Sequence, residues 1–419
     1  MDTIFAEATP PGRGGVSIIR VSGPEAQRIA EELTGPLGDA RHGYLRQISD
    51  GNDRIDQGLV MRFNEGASFT GEAVVEFHLH GAPVVVKRLE RAILSRGARR
   101  AEPGEFTLRA FQSGNMDLAE VEGLSDLLAA ETEAQRKLAV QVSGGALGRL
   151  VEGWRDDLVE AGAMLTAAID FADEEIPDDV AADVDRRIER VRRSVEAQLA
   201  SYPATERLRQ GFEVALVGAP NAGKSSLLNA IARRDIAIVT DQAGTTRDIV
   251  EFRADLRGLP VTFLDTAGIR ETSDLVEGIG IDRSRDRALN ADLRVFVGEI
   301  PEDMLDHKCP GDLEIHTKGD LTGRDGAVSS VTGEGIDTLL SEIFEELRER
   351  VSETGLASHA RQADALSDAA RELAHVSGHE VEIVSEHLRA ASHHLQRLIG
   401  RIDVEDYLDR VFSRFCIGK

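Results

Sequence analysis

Apolar residues recur along this chain with two different periods, and each change of period marks a change of architecture. Up to about residue 116 they come in short runs. Val16-Ser17-Ile18-Ile19-Arg20-Val21 and Ala73-Val74-Val75-Glu76-Phe77-His78-Leu79 have the length and β-branched content of strands, while Val84 to Leu94 has helical spacing. Residues 1–116 are therefore expected to form an α+β domain. At Asp117 the spacing lengthens. Asp117 followed by Glu120 reads as a helix start, and Leu118, Val121, Leu124, Leu127 and Leu128 then recur at helical intervals. A second stripe comprises Trp154, Leu158, Ala161, Leu165 and Ile169; a third, beyond the acidic turn Asp173-Glu174-Glu175-Ile176-Pro177, comprises Ile188, Val191, Val195 and Leu199. This pattern is expected to stop near Tyr202-Pro203.

Helical spacing returns after residue 350, at Leu366, Ala370 and Leu373 and then at Val384, Leu388, Ala391, Leu395 and Leu398. An amphipathic helix cannot bury its stripe alone. Residues 117–210 and 351–419 are therefore expected to pack as one helical bundle, with residues 211–350 inserted as a separate α/β domain. A length of 419 residues agrees, because it exceeds what one hydrophobic core supports.

Composition narrows the class. The apolar fraction of 41% is that of a globular protein, no run of eighteen apolar residues occurs, and the first residues lack the basic-then-apolar order of a signal peptide. The expectation is a cytoplasmic protein with no membrane association. Two cysteines, Cys309 and Cys416, cannot build a disulfide framework. The formal charge of −25 opposes a general nucleic-acid binder, so any RNA partner must meet a local basic patch or be held mainly by another protein. His78 and His80 share a strand face, yet no third ligand motif accompanies them, and packing is the expectation; His393 and His394 are expected on a solvated surface.

The chemistry concentrates in residues 211–350. Phe212 to Val217 is an apolar run suited to a buried parallel strand, and it leads into Gly218-Ala219-Pro220-Asn221-Ala222-Gly223-Lys224-Ser225, then into helical Leu227 to Ile231. This is G-x-x-x-x-G-K-[ST], in which backbone N–H groups and a helix N-terminus cradle phosphates. Asn221, Ala222, Gly223, Lys224, Ser225 and Ser226 are the expected phosphate contacts, with Lys224 reaching the outer phosphates and the Ser225 hydroxyl on Mg²⁺.

The base is chosen downstream, in Thr317-Lys318-Gly319-Asp320. The Asp320 carboxylate can accept both the ring N–H and the exocyclic amine of guanine, a pair adenine does not offer. Lys318 is expected to lie along the base and brace the P-loop, Thr317 stands where Asn is usual, and Ser329-Ser330 falls where the last base-contacting loop belongs. Between these motifs, Thr245-Thr246 offers a hydroxyl, that of Thr246, to Mg²⁺ and the terminal phosphate. Asp265-Thr266-Ala267-Gly268 supplies a carboxylate for the metal's water shell and an N–H at Gly268 for the terminal phosphate. Ile269 follows where a water-orienting Gln is usual, leaving Glu271, Asp274 and Glu277 as acidic candidates. The stretch from Val297 to Leu313 is too short for a full helix, so a trimmed sheet edge and weaker nucleotide affinity are expected.

The chain resembles the bacterial tRNA-modification GTPase family MnmE, also called TrmE, essentially end to end. The resemblance rests on Ala8-Thr9-Pro10-Pro11-Gly12-Arg13-Gly14-Gly15-Val16, Phe69-Thr70-Gly71-Glu72, Pro103-Gly104-Glu105-Phe106, the segments around Thr246 and Asp265, and Phe415-Cys416-Ile417-Gly418-Lys419. It implies an N-terminal α+β folate-binding and dimerising domain, an α-helical bundle and an inserted Ras-like P-loop GTPase domain. It further implies K⁺ held by Asn221, Thr240, Gln242 and Thr245, with Glu277 orienting the attacking water and Lys224 and Thr246 completing catalysis. A tetrahydrofolate one-carbon donor would meet Arg20, Glu76, Lys419 and the position of Asn115, where a basic residue is usual; Cys416 is either a reactive thiol there or a packing residue. Implied partners are GTP and GDP, tRNA, a second copy of the chain, and a flavoprotein, MnmG, in a heterotetramer that adds a carboxymethylaminomethyl-type group to the wobble uridine. The alternative is a conformational switch in ribosome assembly or signalling without modification chemistry.

Overall fold

The computed structural model describes residues 2–170, 178–234, 236–238, 251–265, 287, 289–300, 306–351, 354–376, 380–400, 412, 415 and 418. The contacts among them define two units. The first comprises Met1–Ser125, Gly148–Glu152 and Leu395–Lys419, the second Asp126–Leu147 and Gly153–His394.

The first unit is built on a six-stranded sheet of β1 (Ile4–Glu7), β2 (Ser17–Ser22), β3 (Tyr44–Asp50), β4 (Asp53–Phe63), β5 (Val74–Leu79) and β6 (Arg99–Arg100) in the order β3-β4-β5-β2-β1-β6. All pairs are antiparallel except β1 with β6. Strand alternation sends Ile19, Val21, Val75 and Phe77 to one face, where they pack with α1 (Ala26–Thr34) and α2 (Pro83–Leu94). Arg20 and Glu76, directly paired across β2 and β5, point to the other face. On that face Ile4 and Ala6 pack with Phe106 of α3 (Glu105–Gln112). The helix start expected at Asp117 is a reciprocal cap: Asp117 N–H donates to Glu120 Oε2 and Glu120 N–H to Asp117 Oδ1, each at 2.8 Å, opening α4 (Leu118–Ala129).

An ion network ties β6 and α3 to the N-terminus. Arg99 pairs with Asp2 and Glu105, and buried Arg109 pairs with Asp2, Glu72 and Glu105. Hydrogen bonding to Arg99 holds the Asp2 carboxyl below its usual value; burial opposes the charge of Glu105, yet bonds from Arg99, the Glu102 N–H and Arg109 outweigh it and lower that pKa also. Depressed carboxyl values stabilise the fold above their unfolded pKa and cease to do so as pH falls through the folded values, here below about pH 4. In Arg99→Gln that contribution is removed. The melting-temperature gap between wild type and Arg99→Gln is therefore expected to be constant near neutrality and to narrow below about pH 4; a gap independent of pH would show that the network does not couple to folding.

The second unit holds a five-stranded sheet of β7 (Phe212–Val217), β8 (Glu251–Leu256), β9 (Leu259–Asp265), β10 (Leu293–Val297) and β11 (Leu313–Ile315) in the order β11-β10-β7-β9-β8. Only β8 runs antiparallel to its neighbour. The sheet is buried on both faces. Val214 and Leu216 pack with α8 (Lys224–Ala232), with α5 (Glu133–Ser143) and with a helix over Ile336–Arg350, while Ala215 and Val217 pack with Leu264 and Phe296. Among the described residues no α-helix stands between β10 and β11, in line with the shortened stretch. A buried ion pair pins that segment: Arg294 Nε donates to Asp312 Oδ2 at 2.8 Å, and the Cys309 N–H donates to the same oxygen at 2.7 Å.

The helices are α6 (Ala146–Asp170), α7 (Asp178–Gln210), α9 (Gly319–Thr322), α10 (the Ile336–Arg350 helix), α11 (Ala360–Ala374) and α12 (Val381–Leu398). Their expected stripes are buried at Trp154, Leu158 and Ala161, at Ile188, Val191 and Val195, and at Leu366, Leu373, Val384, Leu388 and Ala391. Helices α7 and α11 pack together within the second unit. Gly355 N–H donates to Thr205 Oγ1, Leu356 N–H to Gln198 Oε1 and Arg209 Nε to Ser358 O, joining α7 to the segment that leads into α11.

One expectation fails. Helix α7 does not stop at Tyr202-Pro203 but runs through Pro203 to Gln210. An internal proline costs about 3 kcal/mol. Here it lies on the exposed side of the helix, and the turns beyond it are held by buried Thr205 and Leu208 and by the bonds to the α11 segment. The acidic turn 173–177 lies outside the described residues.

Candidate functional site

Strand β7 ends at Val217, and the chain curls around Gly218 to Gly223 before entering α8. Two positions there depend on glycine. A Cβ on Gly218 would lie 2.3 Å from Val297 O, and Gly223 holds φ +99° where a Cβ would meet Thr317 Oγ1 at 3.1 Å. Asn221 adopts a left-handed backbone, φ 63°, the turn that closes the loop.

Lys224, 3% exposed, folds back over this loop, and its Nζ donates to Gly218 O at 2.6 Å and Ala219 O at 3.0 Å. Burial pushes the ammonium's pKa down, while the nearby Asp265 carboxylate pushes it up. Ser225 Oγ donates to Asp265 Oδ2 at 2.5 Å, so the two expected Mg²⁺-side groups, 40 residues apart in sequence, meet at the carboxyl ends of β7 and β9. Hydroxyl and carboxylate oxygens are the donors a hard cation takes, with phosphate oxygens and water completing the shell. Among the described residues no cluster of three or more His, Cys, Asp or Glu could hold a metal unaided.

The downstream loops close on the same edge. Thr317 Oγ1 donates to Ala222 O, and Lys318 Nζ to Asn221 O at 2.9 Å. Lys318, also left-handed at φ 61°, turns the chain so that Asp320 follows on the short helix α9. Ser329 Oγ donates to Asp320 Oδ1 at 2.8 Å and accepts from Thr332 N–H at 3.1 Å, orienting the carboxylate from the loop that also carries Ser330. Thr240, Gln242, Thr245, Thr246, Thr266, Ala267, Gly268, Ile269 and Glu277 lie outside the described residues.

A second cluster occupies the α3 face of the first sheet. Arg20 Nε donates to Glu76 Oε1 at 2.9 Å, and its guanidinium sits 5.7 Å from the Phe106 ring centroid and 5.9 Å from that of Phe69. Asn115 Nδ2 donates to Ser68 O and Phe69 O, holding the loop that carries Phe69. His78 lies 3.5 Å from Glu76, and His80 hydrogen-bonds Asp56 instead of converging with it. The two aromatic rings were not singled out as site residues by sequence; only the Phe-x-Gly-Glu and Pro-Gly-Glu-Phe motifs drew attention to them. Gly418 passes against Glu7 and Ala8, where its φ of +105° and a Cβ contact of 2.4 Å to Glu7 O leave room only for glycine, while Cys416 and Lys419 lie outside the described residues.

A phosphate loop alone serves many nucleotide enzymes. Joined to a Lys-x-Asp loop whose carboxylate is held by a neighbouring loop, at the carboxyl end of a sheet with this strand order, it defines a P-loop GTPase domain. A family model described as the MnmE helical domain matches residues 118–416, and one described as the GTP-binding protein TrmE N-terminus matches residues 3–115. Over 100% of both chains the protein is 55% identical to the tRNA modification GTPase MnmE of Paracoccus denitrificans (strain Pd 1222) and 49% identical to that of Roseobacter denitrificans (strain ATCC 33942 / OCh 114). The solved G domain of the T. maritima FeoB iron transporter is 26% identical, with 32% of this chain and 98% of that chain covered at a TM-score of 0.23, too low to bear on the fold. The chain belongs to the MnmE family of tRNA modification GTPases.

Proposed function

We infer that this protein hydrolyses GTP and uses the cycle to drive tRNA modification. The reading is carried by one observation: Lys224, the Ser225–Asp265 pair and the Ser329-oriented Asp320 all lie at or beyond the carboxyl ends of β7, β9 and β11. Loop amides and the N-terminus of α8 bind the phosphates, Lys224 neutralises the outer ones, and Asp320 accepts the two N–H groups of guanine. Ser225, Thr246 and Asp265 would hold Mg²⁺, which supplies charge neutralisation on the β- and γ-phosphates. With Ile269 unable to orient water, Glu277 positions the nucleophile that attacks the terminal phosphorus as the bond to the bridging oxygen breaks. Asn221, Thr240, Gln242 and Thr245 would hold K⁺, which would supply the positive charge that an arginine finger supplies elsewhere.

The modification is the addition of a carboxymethylaminomethyl-type group to the wobble uridine, with the flavoprotein MnmG as partner in a heterotetramer and a tetrahydrofolate one-carbon donor in the N-terminal domain. The Arg20–Glu76 pair beside exposed Phe69 supports a folate site, since an anionic tail needs a cation, a pterin offers donors to a carboxylate, and a flat ring can stack on the open face of Phe69, while buried Phe106 backs the Arg20 guanidinium. Leu45 and Leu59, cross-strand neighbours 61% and 47% exposed, support self-association of this domain. The three-domain division at residues 116, 210 and 350 and a cytoplasmic location complete the reading. No helix among the described residues is long and apolar enough to cross a membrane.

GTP turnover by the purified chain, compared in K⁺ and Na⁺ at equal ionic strength, is expected to be several-fold faster in K⁺. Glu277→Ala is expected to lower it on the order of 10²-fold. Equal rates in both salts remove the K⁺ assignment, and undiminished turnover in the variant removes that of Glu277.

A further inference from the structure

We propose that Thr317 is a positioning residue: its hydroxyl latches the base-reading loop onto the P-loop and makes no contact with the base, leaving guanine selection to Asp320 alone. A threonine hydroxyl carries a single proton. Here that proton is committed to Ala222 O. The next residue repeats the contact one carbonyl earlier, Lys318 Nζ to Asn221 O, so two consecutive residues of one loop hold two consecutive carbonyls of the other. The approach is tight: Gly223, which opens α8, faces the Thr317 side chain at a distance a Cβ could not share without displacement.

The consequence is chemical. An asparagine at this position has two amide protons and can serve a P-loop carbonyl and the purine N7 together. Threonine has none left for N7. Because N7 is common to adenine and guanine, giving up that contact weakens purine binding without blurring the choice between them. The choice stays with Asp320, whose orientation depends on Ser329 and not on Thr317.

The inference rests on the guanine-nucleotide reading, and calorimetry with GDP and 7-deaza-GDP separates the two. Wild type is expected to bind GDP; failure to bind it would overturn the nucleotide reading itself. Thr317→Val is expected to raise the GDP Kd about five- to tenfold by leaving Ala222 O unpaired, while Thr317→Ser, which keeps the hydroxyl, binds within about twofold of wild type. The ratio of 7-deaza-GDP to GDP Kd is expected to be the same in wild type and Thr317→Val, and to widen several-fold in Thr317→Asn, whose second amide proton reaches N7. A ratio that changes between wild type and Thr317→Val would place the hydroxyl on the base and overturn the proposal. So would GDP binding unaffected by Thr317→Val, or an equal loss in Thr317→Ser, which would assign the effect to the methyl group.

Discussion

Lys224→Ala is expected to lower kcat/KM for GTP by on the order of 10²- to 10³-fold while leaving the melting temperature of the nucleotide-free protein unchanged or higher. The two halves of this expectation have one cause. Lys224 is buried, and its ammonium is desolvated among loop carbonyls and beside Asp265, so in the absence of phosphate its charge is held against the preference of its surroundings. Removing it relieves that cost. In hydrolysis the same ammonium would face the charge that builds on the phosphoryl oxygens, and a cation already fixed in place stabilises that charge without reorganisation. Steady-state GTP turnover and thermal melting on one preparation check both halves. Turnover close to wild type would show that the loop amides suffice, and a collapse of melting temperature would show that Lys224 is a structural strut.

Asp312→Ala is expected to destabilise the GTPase domain by about 3–5 kcal/mol, the cost of leaving one partner of a buried ion pair alone. The Asp312 side chain is 0% exposed and that of Arg294 6%, and the carboxylate also accepts the Arg294 and Cys309 N–H groups. Arg294 Nη1 in turn donates to Leu289 O at 2.7 Å. Asp312 thus takes over, in the shortened Val297 to Leu313 stretch, the anchoring that a packed helix would supply. Replacing both charges with leucine is expected to recover only part of the loss, since it removes the unpaired guanidinium but leaves the Arg294 and Cys309 N–H groups without their acceptor. Urea denaturation followed by release of a fluorescent guanine nucleotide at fixed concentration reads this domain specifically. An Asp312→Ala loss below about 1 kcal/mol would mean that water reaches the pair.

The GTPase motifs were legible because their chemistry is local. A strand, a glycine-rich turn and a helix that follow one another in the chain place Lys224 and Ser225 without reference to the rest of the protein. The helical stripes were legible for a similar reason, since burial on one face leaves a period in the sequence. Pro203 misled because local propensity weighs its lost hydrogen bond and cannot weigh Thr205 and Leu208, whose burial lies across the bundle. The hairpin of β3 and β4 was missed because its strands alternate exposed charged and polar residues with few fully buried positions.

What the sequence determined by itself is therefore the inventory: a phosphate loop, a Lys-x-Asp motif downstream of it, stripes of helical spacing on either side, and an α+β pattern ahead of them. What only the tertiary structure decided is which of these side chains meet. Arg20 reaches Glu76 across 56 residues and Thr317 reaches Ala222 across 95, and both pairings come from strand register and loop approach. Hydrophobic periodicity records which face of an element is buried, whereas a hydrogen bond between distant segments depends on how far one element slides along another, and no pattern within either segment encodes that distance.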